Sequence, residues 1–138
     1  MSGWPGPTAA IPRVLAMVLC EYVHTNPGSL TRTILNTFSS ILVESFPMRI
    51  SQMAVYAALT DGRGKTPITL TLAHVDGDIL EQFTCTTVVD FDDPIADKEI
   101  SFQFNGLVLD APGDLRVQLY CNAELLSERR LYVRAMPE

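Results

Sequence analysis

The sequence predicts an all-β protein, an antiparallel β-sandwich of about eight strands, and three observations support this. Apolar and polar residues alternate along residues 100–104 and again along residues 115–121, and a period of two is typical of a half-buried strand. Pro112-Gly113-Asp114 separates the two runs and suits a turn, because proline presets φ and glycine accepts a positive φ. Runs of this kind recur along the chain at short, regular spacing, as they do in sandwiches and barrels.

The C-terminal third of the chain predicts one wall of the sandwich. A third strand-like run, residues 131–134, follows Asn122-Ala123, which we interpret as another turn. We therefore expect the three runs to form neighbouring antiparallel strands in a single sheet.

Length, composition and charge narrow the functional classes. The chain has 138 residues, of which 47% are hydrophobic, enough for one packed domain; we expect a flexible Pro/Gly-rich tail at residues 1–12 and a single domain at residues 13–138. The net charge of −6 argues against nucleic acid, because a phosphate backbone attracts basic proteins. No apolar run approaches the ~18 residues of a membrane span, and the tail lacks the basic residues of a signal peptide. We expect a cytoplasmic protein.

The first half of the chain predicts three strands with some ambiguity. Residues 14–23 are almost continuously apolar, so a helix competes with the strand that we favour. Residues 30–41 are rich in threonine, isoleucine and phenylalanine and predict a second strand, although one or two helical turns are possible at residues 38–46. Residues 48–59 predict a third strand, for which a helix is the alternative, with a bulge near Ser51-Gln52 where the apolar alternation changes phase.

The middle of the chain predicts a hairpin after a loop at residues 61–65. Asp76-Gly77 is typical of a two-residue type I′ turn. That turn would place Leu70 opposite Phe83, Ile68 opposite Cys85 on the core face, and Thr69 opposite Thr84 on the other face. An acidic loop at residues 90–97 would follow.

Several stretches resemble a family of small uncharacterised bacterial proteins. They are VYAALTDGRG at 55–64, EISFQFNGL at 99–107, PGDLRVQLY at 112–120 and AELLSERRLYV at 123–133, together with Cys20-Glu21 and Phe46-Pro47. The resemblance covers nearly the whole chain after the tail. It implies an immunoglobulin-like or related sandwich in a bacterial protein, and it implies no activity and no functional residues.

No catalytic constellation is visible in the sequence, which holds no nucleotide-binding, zinc-protease or serine-hydrolase motif. In an up-and-down strand order, His24 and His74 would lie at opposite ends of the sandwich, ~30 Å apart. Cys20 would lie ~13 Å from His24 along a strand, too far for a thiol–imidazole pair. Cys20, Cys85 and Cys121 stand in apolar runs and predict buried free thiols in a reducing compartment.

Acidic residues supply the candidate metal ligands. The same strand order would bring Asp61, Asp92, Asp93 and Asp97 to one end of the sandwich together with Asn26, and Asp76, Asp78, Asp110 and Asp114 to the other. Calcium prefers six to eight oxygen ligands, which adjacent loops can supply. Because no calcium-binding loop motif is present and Arg63 and Lys65 stand beside Asp61, we expect neither a metal nor another cofactor, and Asp61, Asp92, Asp93 and Asp97 remain the weak candidates.

A basic group near the C terminus is the remaining feature. On a strand, Arg130 and Arg134 would share one face and Arg129 the other. A charge ladder with Glu124 and Glu128 is one interpretation, and a docking surface for an acidic partner is the alternative.

The sequence as a whole favours a non-enzymatic module that acts in protein binding or assembly, through a protein partner or self-association. The alternative is a ligand-binding domain that uses its loop tips for calcium or carbohydrate, and an unrecognised hydrolase is the third hypothesis.

Overall fold

The computed structural model describes residues 11–74 and 84–137, and this part of the chain folds entirely into strands, turns and loops. Alternating apolar residues form eleven strands in it rather than the predicted eight. They are β1 (Arg13–Thr25), β2 (Arg32–Thr37), β3 (Ser40–Val43), β4 (Met48–Ile50), β5 (Met53–Thr60), β6 (Gly64–His74), β7 (Cys85–Phe91), β8 (Lys98–Phe104), β9 (Leu107–Leu109), β10 (Gly113–Cys121) and β11 (Glu124–Ala135).

Two main sheets enclose one core. The first has the order β2-β1-β5-β8, the second the order β3-β11-β10-β6-β7, and β4 and β9 form a small third sheet. Strands such as β7 and β10 contribute alternate side chains to the interior, as a period of two requires. The largest fully buried side chains are Leu19, Met53, Leu59, Ile68, Leu70, Leu72, Leu119 and Leu131. The predicted β-sandwich is confirmed, with more strands than expected. Because no helix occurs in residues 11–74 or 84–137, none there could cross a membrane.

Two of the predicted strands are each divided. Residues 30–41 form β2 in one sheet and the start of β3 in the other, because the chain crosses between sheets at Phe38-Ser39. Residues 48–59 divide at Ser51-Gln52, where a bulge was predicted, into β4 of the small sheet and β5 of the first main sheet. The loop predicted at residues 61–65 is shorter in the structure, because β6 begins at Gly64.

The prediction that the last three runs form one wall is wrong. β8 pairs with β5 in the first sheet, whereas β10 and β11 pair with each other in the second. The up-and-down strand order is also wrong, because β3 runs parallel to β11 and β10 lies between β11 and β6. Alternation of apolar and polar residues indicates that one face of a strand is buried. Because both sheets bury one face in the same core, the pattern does not show to which sheet a strand belongs.

The predicted pairing of β6 with β7 is shifted by two residues. Leu70 faces Cys85, Thr69 faces Thr86 and Ile68 faces Thr87. A shift of two residues keeps each side chain on its predicted face. Thr69 therefore still faces a threonine, Thr86 in place of Thr84, and the two Oγ1 atoms are 2.8 Å apart. The Asp76-Gly77 turn, Phe83 and most of the tail predicted at residues 1–12 lie outside the described residues.

The outer half of β1 folds back with β2 over the outside of the first sheet. We call this segment, residues 21–37, the arm. Val23 is buried together with Cys20 and Ala54, and Ile34 and Tyr56 pack against them. Ala54 and Tyr56 stand on the outer face of β5, because Val55 and Ala57 between and beside them belong to the main core. The arm thus covers a small second core that is separate from the main one.

Candidate functional site

A two-lobed groove lies at the base of the arm. Its larger lobe has a volume of about 370 Å³, and apolar side chains from three segments line it, namely Phe38, Ile41, Met48 and Ile50. The smaller lobe, about 270 Å³, lies beside Tyr22 and Leu35. Glu21, Asn36 and Gln52 line both lobes, so the two lobes adjoin, and we call them together the arm groove.

A local irregularity in β2 shapes the first wall of the arm groove. Asn36 has φ 55°, a left-handed conformation that asparagine tolerates better than most residues. Its side-chain Nδ2 donates to Glu21 Oε2 at 2.7 Å, and just beyond it the Phe38 N–H donates to the Leu19 carbonyl at 3.1 Å. The two bonds fix the arm where it leaves the sheet and direct Phe38 into the larger lobe.

The small sheet shapes the opposite wall. β4 follows the cis peptide bond Phe46–Pro47 and pairs with β9, so that Met48 faces Leu109 and Ile50 faces Leu107. Gly106, at φ 76°, lies directly under the Arg49 guanidinium: a Cβ at this glycine would be 2.5 Å from Arg49 Nη2. Glycine here permits both the left-handed backbone and the close approach of the guanidinium.

A polar cluster fastens the arm to the sheet. Arg32 Nη1 on the arm lies 3.0 Å from Glu99 Oε1 on β8, and the Tyr56 hydroxyl donates to the other oxygen of the same carboxylate. Burial, followed by the hydrogen bond to Glu99, raises the pKa of Tyr56 to about 12, because both favour the neutral phenol. Arg32, Tyr56 and Glu99, which we call the arm clamp, join three strands across the outer face.

Of the acidic candidates Asp61, Asp92, Asp93 and Asp97, the first three make contacts of their own rather than forming a shared site. The Asp61 N–H donates to the Pro94 carbonyl at 2.9 Å, which brings Asp61 beside the acidic loop as predicted. Its carboxylate pairs with Arg13, Oδ2 to Nε at 3.3 Å. Asn26, by contrast, closes the β1–β2 turn, where its N–H donates to the Thr31 carbonyl at 2.7 Å.

The acidic loop uses its carboxylates to hold its own shape. Asp92 Oδ1 lies 2.7 Å from Lys98 Nζ, and this ammonium lowers the pKa of Asp92. Asp93 Oδ1 accepts the Ile95 N–H at 3.2 Å, an Asx-type turn. Within residues 11–74 and 84–137, no three His, Cys, Asp or Glu side chains come together in a way that could hold a metal ion.

The cysteines and histidines lie apart in the fold. Cys20 and Cys121 are buried as predicted, and all three thiols are free. Cys85 is exposed, contrary to the prediction: it has the parity of the core face, but it stands at the very start of β7, where the core no longer covers it. Burial raises the pKa of Cys20 and of Cys121.

His74 is the histidine that stands near an acid. It lines a small cleft of about 160 Å³ together with Asp110, but the other lining residues, Val108, Leu109, Ala111 and Leu115, are apolar. A triad-type hydrolase needs a serine, cysteine or threonine nucleophile beside its base, and none is among the described residues that line this cleft. His24 is on β1 of the first sheet and His74 on β6 of the second. The predicted distance between the two histidines assumed an up-and-down strand order, which this fold does not have.

The basic group divides between two faces of β11, as predicted. Arg130 Nη1 donates to the Tyr132 hydroxyl at 3.3 Å, and the Arg134 guanidinium lies 5.1 Å from the centre of the same ring. Arg129 takes the other face and donates to the Met17 carbonyl of β1 at 3.2 Å. Arg129 therefore links the two sheets at their β1–β11 side.

Comparison with known proteins places the chain in a family. The family model DUF6941, a family of unknown function, matches residues 15–134. This chain belongs to that family. The match confirms the predicted resemblance to a family of unknown function, and no curated protein matches the chain.

Two solved structures are similar to this DUF6941 member at low sequence identity. An immunoglobulin-like protein from Pseudomonas aeruginosa is 16% identical with a TM-score of 0.48, over 94% of this chain and 100% of that one. A β-glucosidase from Listeria innocua, solved with isofagomine, is 10% identical with a TM-score of 0.50, over 93% of this chain. The matched region is only 16% of the glucosidase chain, so the likeness concerns the fold alone.

No pattern in the sequence predicted the arm groove. Met48 and Ile50 read as part of one long strand, and Phe38 and Ile41 as part of another, so nothing in the pattern suggested that the four line one surface. The available signal was Asn36, a polar residue tolerant of φ > 0 within an apolar strand, which marks the irregularity that shapes the groove.

Proposed function

We propose that this protein is a non-enzymatic binding module of the cytoplasm, and that the arm groove takes an extended segment of a partner protein. The observation that carries the proposal is the groove itself, two adjoining lobes in which apolar side chains stand among polar ones. Tyr22, Leu35 and Met48, three of the large apolar side chains exposed on the protein, line it. Exposed apolar residues that cluster in this way are typical of interaction sites.

The shape of the groove favours an extended chain over a compact ligand. Its two lobes share Glu21, Asn36 and Gln52, so an occupant would run from the Leu35 lobe to the Ile41 lobe. An extended peptide presents side chains at regular intervals, and its main chain needs hydrogen-bond partners. Gln52 makes no side-chain hydrogen bond within the described residues and is half-buried at the junction, where its amide could bond to such a main chain.

The same lining argues against catalysis. Neither histidine and none of the three cysteines lines the arm groove, and Glu21 already accepts a hydrogen bond from Asn36. A general base and a nucleophile within hydrogen-bond reach of each other are what an enzyme of this kind would need. The net charge of −6 supports a protein partner over nucleic acid, and three free thiols support a reducing compartment.

Photo-crosslinking tests the proposal. Benzoylphenylalanine replaces Gln52 in the groove or, as the control, Gln118 on the outer face of β10. Each variant is irradiated in a lysate of the cells in which the protein naturally occurs. We expect a defined protein to crosslink from position 52 and not from position 118. Unlabelled protein should compete for that crosslink, and Met48→Glu should not. Leu125→Glu is a matched competitor, since Leu125 is 46% exposed and Met48 41%, and it should compete fully. No crosslink at position 52, or the same products at both positions, would contradict the proposal.

A further inference from the structure

The edges of the two main sheets differ in how well they are protected. An edge strand exposes unpaired main-chain groups to which another strand can add, and proteins commonly block this with charges, short strands or irregular backbone. β3 has only four residues, β8 begins with Lys98-Glu99, and β2 contains Arg32 together with Asn36 at φ 55°. Each of these three edges thus carries a protective feature.

β7 is the remaining edge, and it is poorly protected. It is the last strand of the five-stranded sheet, it runs for seven residues as CTTVVDF, and its one charged residue is Asp90. Val88 is 61% exposed, and Thr86 and Asp90 are exposed beside it. Within the described residues, the backbone hydrogen bonds of β7 are those of its ladder with β6. Threonine and valine have high β propensity, so the strand is well suited to accept another.

We propose that β7 pairs antiparallel with β7 of a second copy, around a twofold axis at Val88. This register sets the two Val88 side chains opposite each other and Thr86 opposite Asp90 of the second copy. The threonine hydroxyl can donate to that carboxylate, and no like charges face each other. Because the strand is complementary to itself in this register, a second copy is the occupant that the β7 edge favours. The two five-stranded sheets would then form one continuous ten-stranded sheet, through an isologous contact of the kind that closes after two subunits.

Engineered cysteines test the register. In a Cys85→Ser background, Val88→Cys should form an interchain disulfide on mild oxidation, since residues directly opposite in an antiparallel pair have Cα atoms about 4.5–5.5 Å apart, within disulfide range. Thr86→Cys is the control, because the same register separates the two cysteines by about four residues, or ~13 Å. Efficient crosslinking at position 88 and background at position 86 is the expected result. Equal crosslinking at both positions, or none at 88, would overturn the register.

Light scattering tests the association itself. The contact is small, so we expect the natural protein to dimerise as its concentration rises, and Val88→Lys to remain monomeric because two ammonium groups would then face each other. Ile95→Lys, a change at a still more exposed position in the loop after β7, should dimerise as the natural protein does. Thermal melting of both variants confirms that they are folded. If the natural protein stays monomeric at millimolar concentration, the proposal is overturned. This holds also if the β7 edge then proves to bind a different protein.

Discussion

Arg32 and Glu99 stand on the two outermost strands of the four-stranded sheet, yet the Arg32 Nη1 and Glu99 Oε1 atoms are 3.0 Å apart. Two edges of one flat sheet could not meet in this way. The contact exists because the arm turns back over the outer face, where Tyr56 on β5, one of the two strands between them, donates to the same carboxylate. The position of the arm, and with it one wall of the arm groove, depends on this cluster and on the small core beneath it.

A double-mutant cycle should reveal coupling within the arm clamp. Arg32→Ala, Glu99→Ala and the double variant would be unfolded in urea. The side chains of the pair are only 24% and 36% exposed, so we expect a coupling free energy of about 1 kcal/mol. The matched control is Arg13 with Asp61, which are 69% and 53% exposed and should couple by less than about 0.5 kcal/mol. Equal coupling free energies in the two pairs would show that partial burial in the arm clamp does not strengthen the Arg32–Glu99 interaction.

Alkaline pH should weaken the arm clamp through Tyr56. The pKa of Tyr56 is raised from 10.0 to about 12 in the folded protein, so the folded state holds the phenol proton more tightly than the unfolded state does. The resulting stability is fully present below pH 10 and is lost as the pH rises from 10 towards 12. We expect the difference in free energy of unfolding between the natural protein and Tyr56→Phe to shrink over that interval. A difference that stays constant from pH 8 to pH 11.5 would contradict the assignment.

Thiol labelling should separate the three cysteines. Cys85 is exposed, whereas Cys20 and Cys121 are buried, and burial raises the pKa of both buried thiols, which lowers the reactive thiolate fraction near neutral pH. A disulfide reagent at pH 8 should therefore modify one thiol per folded chain quickly and all three after unfolding. Cys85→Ser should abolish the fast reaction. Two or three fast thiols in the folded protein would contradict the burial described here.

Truncation in the main core should be costly. Leu70 is fully buried on β6, and Leu70→Ala should lower the free energy of unfolding by about 2–5 kcal/mol, through lost apolar burial and the cavity left behind. Ile95→Ala, at an exposed loop position, should change it by no more than about 0.5 kcal/mol. Urea unfolding measures both. A small effect at Leu70 would place this residue outside the core.

Local alternation predicted the strands and their buried faces but not how the strands pair. β8, β10 and β11 all appeared in the sequence, and their inward residues Phe102, Val117 and Leu131 are buried as their parity requires. Their division between two sheets depends on contacts between distant parts of the chain, which no local period encodes. Parity gives the face of a residue and not its depth, and for that reason Cys85 was expected in the core.

The candidate site was less predictable than the fold. The acidic residues drew attention because carboxylates are recognisable in a sequence. Asp61 does lie beside the acidic loop, but its carboxylate pairs with Arg13, and that of Asp92 pairs with Lys98. The arm groove is built from ordinary apolar residues of four separate strands or turns. It exists because the arm folds back and the small sheet of β4 and β9 stands opposite, and both are consequences of tertiary packing.

The folded-back arm is tested most directly by nuclear Overhauser spectroscopy on the unmodified protein. We expect cross-peaks between the methyl groups of Val23 or Ile34 on the arm and the protons of Ala54 or Tyr56 on β5, because these side chains share the small second core. An arm that extended β1 and β2 away into solvent would show the β1–β2 cross-strand peaks alone. That result would remove one wall of the groove and, with it, the binding function proposed here.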